Sequence, residues 1–180
     1  VEGPRETTPL HNAGVEQVLF SLSVGPILFF SSTDQILRSI NLVTRDTKEV
    51  LLLPFQSFFD SETSIYKRLA ISLDQVNTNR DQEDAQAIFS GAYVYVEGWP
   101  ASIRTFSITY NLIDNTVTGS LNEEDPDLSG INEIVTLRDL HMLGEGRIAF
   151  LNQRGGSEYT DSNELYRYIP NRGIEPLASV

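Results

Sequence analysis

The sequence has no cysteine, two histidines, one methionine and one tryptophan, and it sets 13 basic residues against 25 acidic ones. Each scarcity removes a class of chemistry. Without cysteine there are no disulfides, no thiolate nucleophile and no thiolate metal ligand. With His11 and His141 alone, a histidine-rich metal site within one chain is excluded. A serine triad would have to rest on His141, and no Gly-x-Ser-x-Gly elbow accompanies it. The formal net charge of −12 opposes binding to nucleic acid or to an anionic membrane, because both are polyanions. No apolar run reaches membrane-spanning length; the longest, Gly25 to Phe30, is the size of a strand. Sustained helical periodicity is absent as well.

What remains suits one β-rich domain. Forty per cent of the 180 residues are hydrophobic, enough for a real core. Residues 1–14 are polar and rich in proline and threonine, and they read as a flexible tether like the one that follows a removed signal sequence. That reading gives the expectation of an exported protein, periplasmic or extracellular, and with no Asn-x-Ser/Thr sequon in the chain nothing supports a glycosylated eukaryotic ectodomain.

From residue 15 onward, alternating and β-branched runs separated by turn chemistry divide the chain into three units, 15–55, 64–122 and 131–180. The first reads as strands at Val15–Ser23, Pro26–Ser31, Gln35–Thr44 and Lys48–Phe55. The second reads as Tyr66–Leu73, Ala87–Glu97, Ile103–Ile113 and Val117–Leu121, with a polar excursion over Asp74–Asp84. In the third, a strand from Ile134 turns at Gly144-Glu145-Gly146 into Arg147–Leu151. Glu164–Ile169 and Ile174–Leu177 then follow. The units register on Ile40-Asn41-Leu42, Tyr110-Asn111-Leu112 and Tyr168-Ile169-Pro170, at offsets of 70 and 58 residues. An isolated four-stranded sheet cannot bury its faces, so a repeat of such units implies stacking against neighbours. The near-continuous apolar runs Ile27–Phe30 and Ala92–Val96 fit strands covered on both sides. Tyr93, Tyr95, Tyr110, Tyr166 and Tyr168 fit half-wet interfaces, where the ring is buried and the hydroxyl finds a partner. Phe150 is expected in the core, with Ile148 on the same face.

Gly146-Arg147-Ile148-Ala149-Phe150-Leu151, Glu164-Leu165-Tyr166-Arg167-Tyr168, Gly173 and Leu177 together resemble the repeats of TolB-type, WD40-like six-bladed β-propellers. Two features of that family are missing: its Ser-Pro-Asp-Gly turn is replaced by Leu143-Gly144-Glu145-Gly146, and the aspartate after the tyrosine strand is absent. The first two units match more loosely. The resemblance implies an all-β fold of four-stranded antiparallel blades, about three in this chain. Three blades do not close a ring of roughly four to eight. A β-sandwich that echoes blades is the alternative architecture.

Candidate sites are few. Phe55, Phe58 and Phe59 follow Pro54 in a connector, and Trp99 stands at a turn beside Pro100; large apolar side chains on loops can mark a partner surface. Glu123, Glu124, Asp125 and Asp127 pack four carboxylates into one linker, which raises calcium as a candidate ligand, since hard cations favour oxygen clusters. Asn77, Asn79 and Asp81 alternate as in an EF-hand loop, but the glycine of that motif is absent and Ile88 stands where its bidentate glutamate belongs. No cofactor is otherwise implied, and no catalytic set is recognised.

The expectation is therefore a non-enzymatic module that binds a protein or peptide, as part of a larger or oligomeric propeller. A propeller-type hydrolase or lyase acting on a sugar or peptide through axial carboxylates is the alternative. Open blade faces favour a protein partner or self-association through the first unit (Val18, Phe20, Leu28, Phe30) or the 55–59 connector.

Overall fold

The computed structural model describes residues 18–32, 34–54, 68–78, 85–97, 100–134, 136–154 and 162–179. Among these residues there are twelve strands and no helix. The first sheet holds β1 (Val18–Val24), β2 (Ile27–Ser32), β3 (Ile36–Asn41) and β4 (Thr47–Leu52). The second holds β5 (Leu69–Asn77), β6 (Gln86–Tyr95), β7 (Ser102–Asn111) and β8 (Val117–Leu121). The third holds β9 (Thr136–Gly144), β10 (Arg147–Arg154), β11 (Ser162–Ile169) and β12 (Gly173–Ser179). Each sheet is an antiparallel meander with strands in chain order.

Local chemistry explains the tight connections. Val24 pairs with Ile27 across Gly25-Pro26, with Gly25 at φ 59°, so glycine takes the first, left-handed position of a two-residue hairpin turn. Gly144 pairs with Arg147 across Glu145-Gly146, both at positive φ, the backbone that matches the twist of the flanking strands.

The sheets stack in sequence order: β5 packs against β1 on one side and β9 on the other, and the outer strands β4 and β8 also touch. Two cores result. Phe29, Leu37 and Leu53 meet Leu69, Phe89, Tyr93, Phe106 and Ile108 between the first and second sheets. Ala92, Val94 and Ile103 meet Leu137, Leu140, Ile148, Phe150 and Tyr166 between the second and third. Residues of β6 thus alternate between two interiors, which is why its run is apolar at nearly every position. Phe29 and Phe89 join the first pair of sheets edge to face at 5.2 Å, and Phe150 stacks on Tyr166 at 5.9 Å.

The first sheet is also buried on the face opposite Phe29. Phe30 and Ile40 lie there beside Arg38, whose guanidinium holds Asp34 at 2.5 Å and Glu49 at 3.3 Å. Phe30 was expected on a face open to a second copy, yet one chain buries it completely. Leu28 is partly exposed, and the side chains of Val18 and Phe20 lie outside the description.

β5 runs on to Asn77, four residues beyond the end read from the sequence. The cause is a β-bulge: Leu73 pairs with Phe89 and Gln75 with Ile88, leaving Asp74 as the extra residue. The linker 122–134 is also more than a solvated acidic loop. Pro126, Leu128 and Ile131 are buried, the last two within the second core, while Glu123, Glu124, Asp125 and Asp127 face solvent.

Gly91 of β6 sits opposite Phe106 of β7, and a Cβ at that position would fall inside the Phe106 ring. Phe106 is fully buried and has nowhere to go. Gly91→Ala should therefore cost about 1–3 kcal/mol by overpacking, and a second substitution, Phe106→Leu, should restore part of that loss. Urea denaturation of the single and double variants measures both values; a neutral Gly91→Ala would show that the ring can move aside.

Candidate functional site

Where the first two sheets part, at the end that carries the β1–β2, β3–β4 and β7–β8 turns, they leave a cleft of about 640 Å³. Ile27, Ala87, Phe89 and Tyr110 line it as buried residues. Its rim is apolar and exposed: Val43 is 78% accessible, Ile113 53%, Val76 47% and Leu73 41%. Scattered apolar residues are normal on a protein surface, but four of them around one concavity make a patch with a shape. The volume falls within the roughly 300–1,000 Å³ range of ligand pockets.

Two copies of one turn build opposite lips. The Asn41 side chain accepts from the amides of Val43 (2.9 Å) and Thr44 (3.2 Å). The Asn111 side chain accepts from Ile113 (2.8 Å) and Asp114 (3.3 Å) in the same way. Each asparagine also gives its own amide to a carbonyl five residues on, Asp46 or Thr116, and the position before that carbonyl, Arg45 or Asn115, takes a positive φ. These asparagine-capped turns hold Val43 and Ile113 out at the mouth without help from their own side chains. Thr116 tightens the second lip by donating its hydroxyl and amide to Asp114, and those bonds hold the Asp114 carboxyl below the usual carboxylate range.

The bulge at Asp74 shapes a third side. In a regular strand Leu73 and Gln75 would share a face; the extra residue puts Leu73 and Val76 in the cleft instead. Asp74 itself accepts from the Ser72 hydroxyl at 3.1 Å and from the Glu145 amide of the third sheet at 3.0 Å. One irregular residue both lines up the rim and ties the second sheet to the third.

Tyr110 departs from the expectation for the interface tyrosines. Tyr93 donates to the Pro54 carbonyl at 3.2 Å, Tyr166 donates to Glu164 at 2.8 Å, and Tyr95 donates to Glu97 with Arg104 lying 4.0 Å above its ring. Tyr110 lines the cleft and is 2% exposed, yet its hydroxyl has no hydrogen-bond partner among the described residues. A buried polar group left without a partner is costly, and in a native fold it asks for a reason.

Phe55, Phe58, Phe59 and Trp99 lie outside the described residues. Asp125 pairs with Arg104 at 3.3 Å. Asp127 accepts from the Ser129 amide at 2.9 Å, which lowers its pKa, and Glu123 and Glu124 are exposed. Among the described residues no group of three or more His, Asp or Glu side chains is arranged to hold a metal ion. His141, the one described histidine, stands within β9 opposite Ala149 with its side chain exposed. The cleft itself was missed. The Asn-Leu-Val and Asn-Leu-Ile echo at 41–43 and 111–113 was its available signal, since both segments put an aliphatic residue on a turn.

Comparison of the chain with protein-family models, with curated proteins and with solved structures finds no match.

Burial pushes the Tyr93 hydroxyl up to about 12 from its ordinary 10. The folded chain thus keeps this proton where the unfolded chain has lost it. The stabilisation is complete below pH 10 and is lost as pH rises through 12. The urea midpoint should fall more steeply between pH 10 and 12 for the native chain than for Tyr93→Phe. Equal slopes would mean that Tyr93 ionises as a solvated phenol does.

Proposed function

We propose that this chain is a non-enzymatic protein- or peptide-binding module whose partner enters the cleft between the first two sheets. Its three meanders are read as successive blades of a β-propeller similar to the TolB-type repeats, with the remaining blades supplied by more sequence or by a second copy. Support for the blade reading comes from the stacking of three meanders in chain order, with the first strand of each against the first strand of the next. The observation that carries the binding reading is the rim: Val43, Leu73, Val76 and Ile113 are held in water around a concavity by turn and bulge geometry. Nothing in folding requires those side chains to be exposed there. Apolar anchors seated in desolvated pockets carry most of the energy of protein interfaces.

The hydrolase or lyase reading has less behind it. A general acid needs a carboxyl pKa pushed upward, whereas Asp114 and Asp127 are both held down by hydrogen bonds.

A displayed peptide library selected on the 180-residue chain tests the binding reading. Enriched peptides should share apolar residues at fixed spacing, and Val43→Glu and Ile113→Glu should each weaken them about tenfold or more, as loss of a central anchor contact does. Both positions are exposed, so both variants should keep the native melting temperature. Enriched peptides that ignore the two substitutions would place the binding surface elsewhere.

A further inference from the structure

We infer that two copies of this chain associate through the outer face of the third sheet, stacking their third sheets about a two-fold axis. The inference rests on the part of the blade reading that allows a second copy, and it needs nothing of the cleft.

The open face follows by elimination. Phe150 and Tyr166 point into the second core, so alternation turns Ala149, Leu151, Leu165 and Arg167 the other way. Leu151 and Leu165 pair with each other across β10 and β11, are only partly covered, and belong to neither core. The first sheet offers no matching surface, because Phe30, Arg38 and Ile40 on its outer face are already buried within one chain. A head-to-tail arrangement, third sheet on first sheet, therefore lacks its second face. An isologous pair needs only one face, presented by both copies.

Charge and register argue for a second copy as the occupant. Two chains of net charge −12 repel each other unless they meet where that excess is missing. On this face Arg138 and Arg167 balance Asp139 and Glu175, to which they are paired. One cross-strand row reads Arg138–Leu151–Leu165–Ala178, and the next reads His141–Ala149–Arg167–Glu175. Apolar residues thus hold the middle of the face and polar ones its rim, the arrangement of a protein interface. A two-fold axis along the strands stacks each row on its own equivalent and exchanges the edge strands. Leu151 then lies over the second copy's Leu165. His141 lies over the second copy's Glu175, where an imidazole N–H can donate to the carboxylate. An axis across the strands would instead set β9 on β9 and β12 on β12, bringing like charges together at both edges. Four strands make a face roughly 20 Å on a side, at the small end for a specific interface, so the pair is reversible at micromolar concentration. Each cleft lies between the first and second sheets, away from the joint, so the pair carries two of them.

Sedimentation velocity of the 180-residue chain, from low micromolar to about 1 mM, should show monomer passing to dimer and no larger species. Leu165→Glu should weaken the dimer about tenfold or more, as loss of a central contact does. Its melting temperature should stay native, because the position lies outside both cores. Val43→Glu, at the cleft rim, should dimerise as the native chain does. The lack of cysteine allows a second measurement that does not depend on Leu165→Glu. Leu151→Cys and Leu165→Cys chains, one of them isotope-labelled, are mixed and joined by a bismaleimide spanning about 10 Å, the spacing of stacked sheets. The mixed product should exceed the half expected of random pairing. A monomer at about 1 mM would overturn the inference and leave further blades to more sequence. Larger oligomers, or a mixed product at or below half, would overturn the two-fold joint. Dimerisation lost in Val43→Glu and kept in Leu165→Glu would overturn it as well, moving the contact to the cleft rim. The peptide selection that tests the cleft is untouched by any of these results, so the two readings fail separately.

Discussion

The second sheet has to be covered on both faces, and the rest of the architecture follows from that demand. β6 sends Phe89 and Tyr93 to one side and Ala92 and Val94 to the other, so neither face can be left in water. A sheet with one apolar face can end a stack, but a sheet with two must sit inside one. That fixes the second unit as the middle layer whatever the flanking units do. The size of the side chains then sets the spacing on each side. Phenylalanine and tyrosine rings fill the first interface, whereas alanine, valine and isoleucine dominate the contribution of the second sheet to the other. Gly91 belongs to the same compromise, because the Phe106 ring takes the volume its side chain would need.

The contact between layers is uneven along their length, and the unevenness makes the cleft. At the outer strands the sheets come close: a Cβ on Gly119 of β8 would lie 2.8 Å from the Val50 carbonyl of β4. Toward the turns they part, and the gap keeps aliphatic walls because the strands forming it are still core strands. The Asp74 bulge adds twist at the end of β5 and re-aims Val76, as bulges do at the ends of strands. Its carboxylate turns that irregularity to structural use by accepting the Glu145 amide across the second interface.

Much of the fold was legible because strand chemistry is local. Alternation, β-branched runs and the Gly25-Pro26 and Glu145-Gly146 turns located the strands to within a few residues. β5 was read short because Asp74 interrupts the alternation, and a bulge and a strand end look alike in one dimension. The acidic linker shows its charges first in the sequence, and they overshadow Leu128 and Ile131, which anchor it in the second core. The cleft was not legible for a different reason. Phe89, Val76, Val43 and Ile113 are far apart in sequence, and each alone reads as ordinary core or ordinary turn. Tyr110 was read as a core tyrosine, and its ring is buried; only the placement of its neighbours shows that its hydroxyl lacks what Tyr93 and Tyr166 have.

The paired asparagine turns have a consequence for how such a site changes over time. Asn41 and Asn111 fix the backbone of the two lips through side-chain-to-amide bonds, so the residues displayed there, Val43 and Ile113, bear no duty to the fold. A residue without structural duty is free to drift. On the proposed binding reading, substitution at either lip alters what the mouth accepts while leaving both cores untouched, so the specificity of such a module can diversify faster than its framework. The same separation offers a handle for directed evolution, in which a library restricted to the two lips would explore specificity on a scaffold that stays folded.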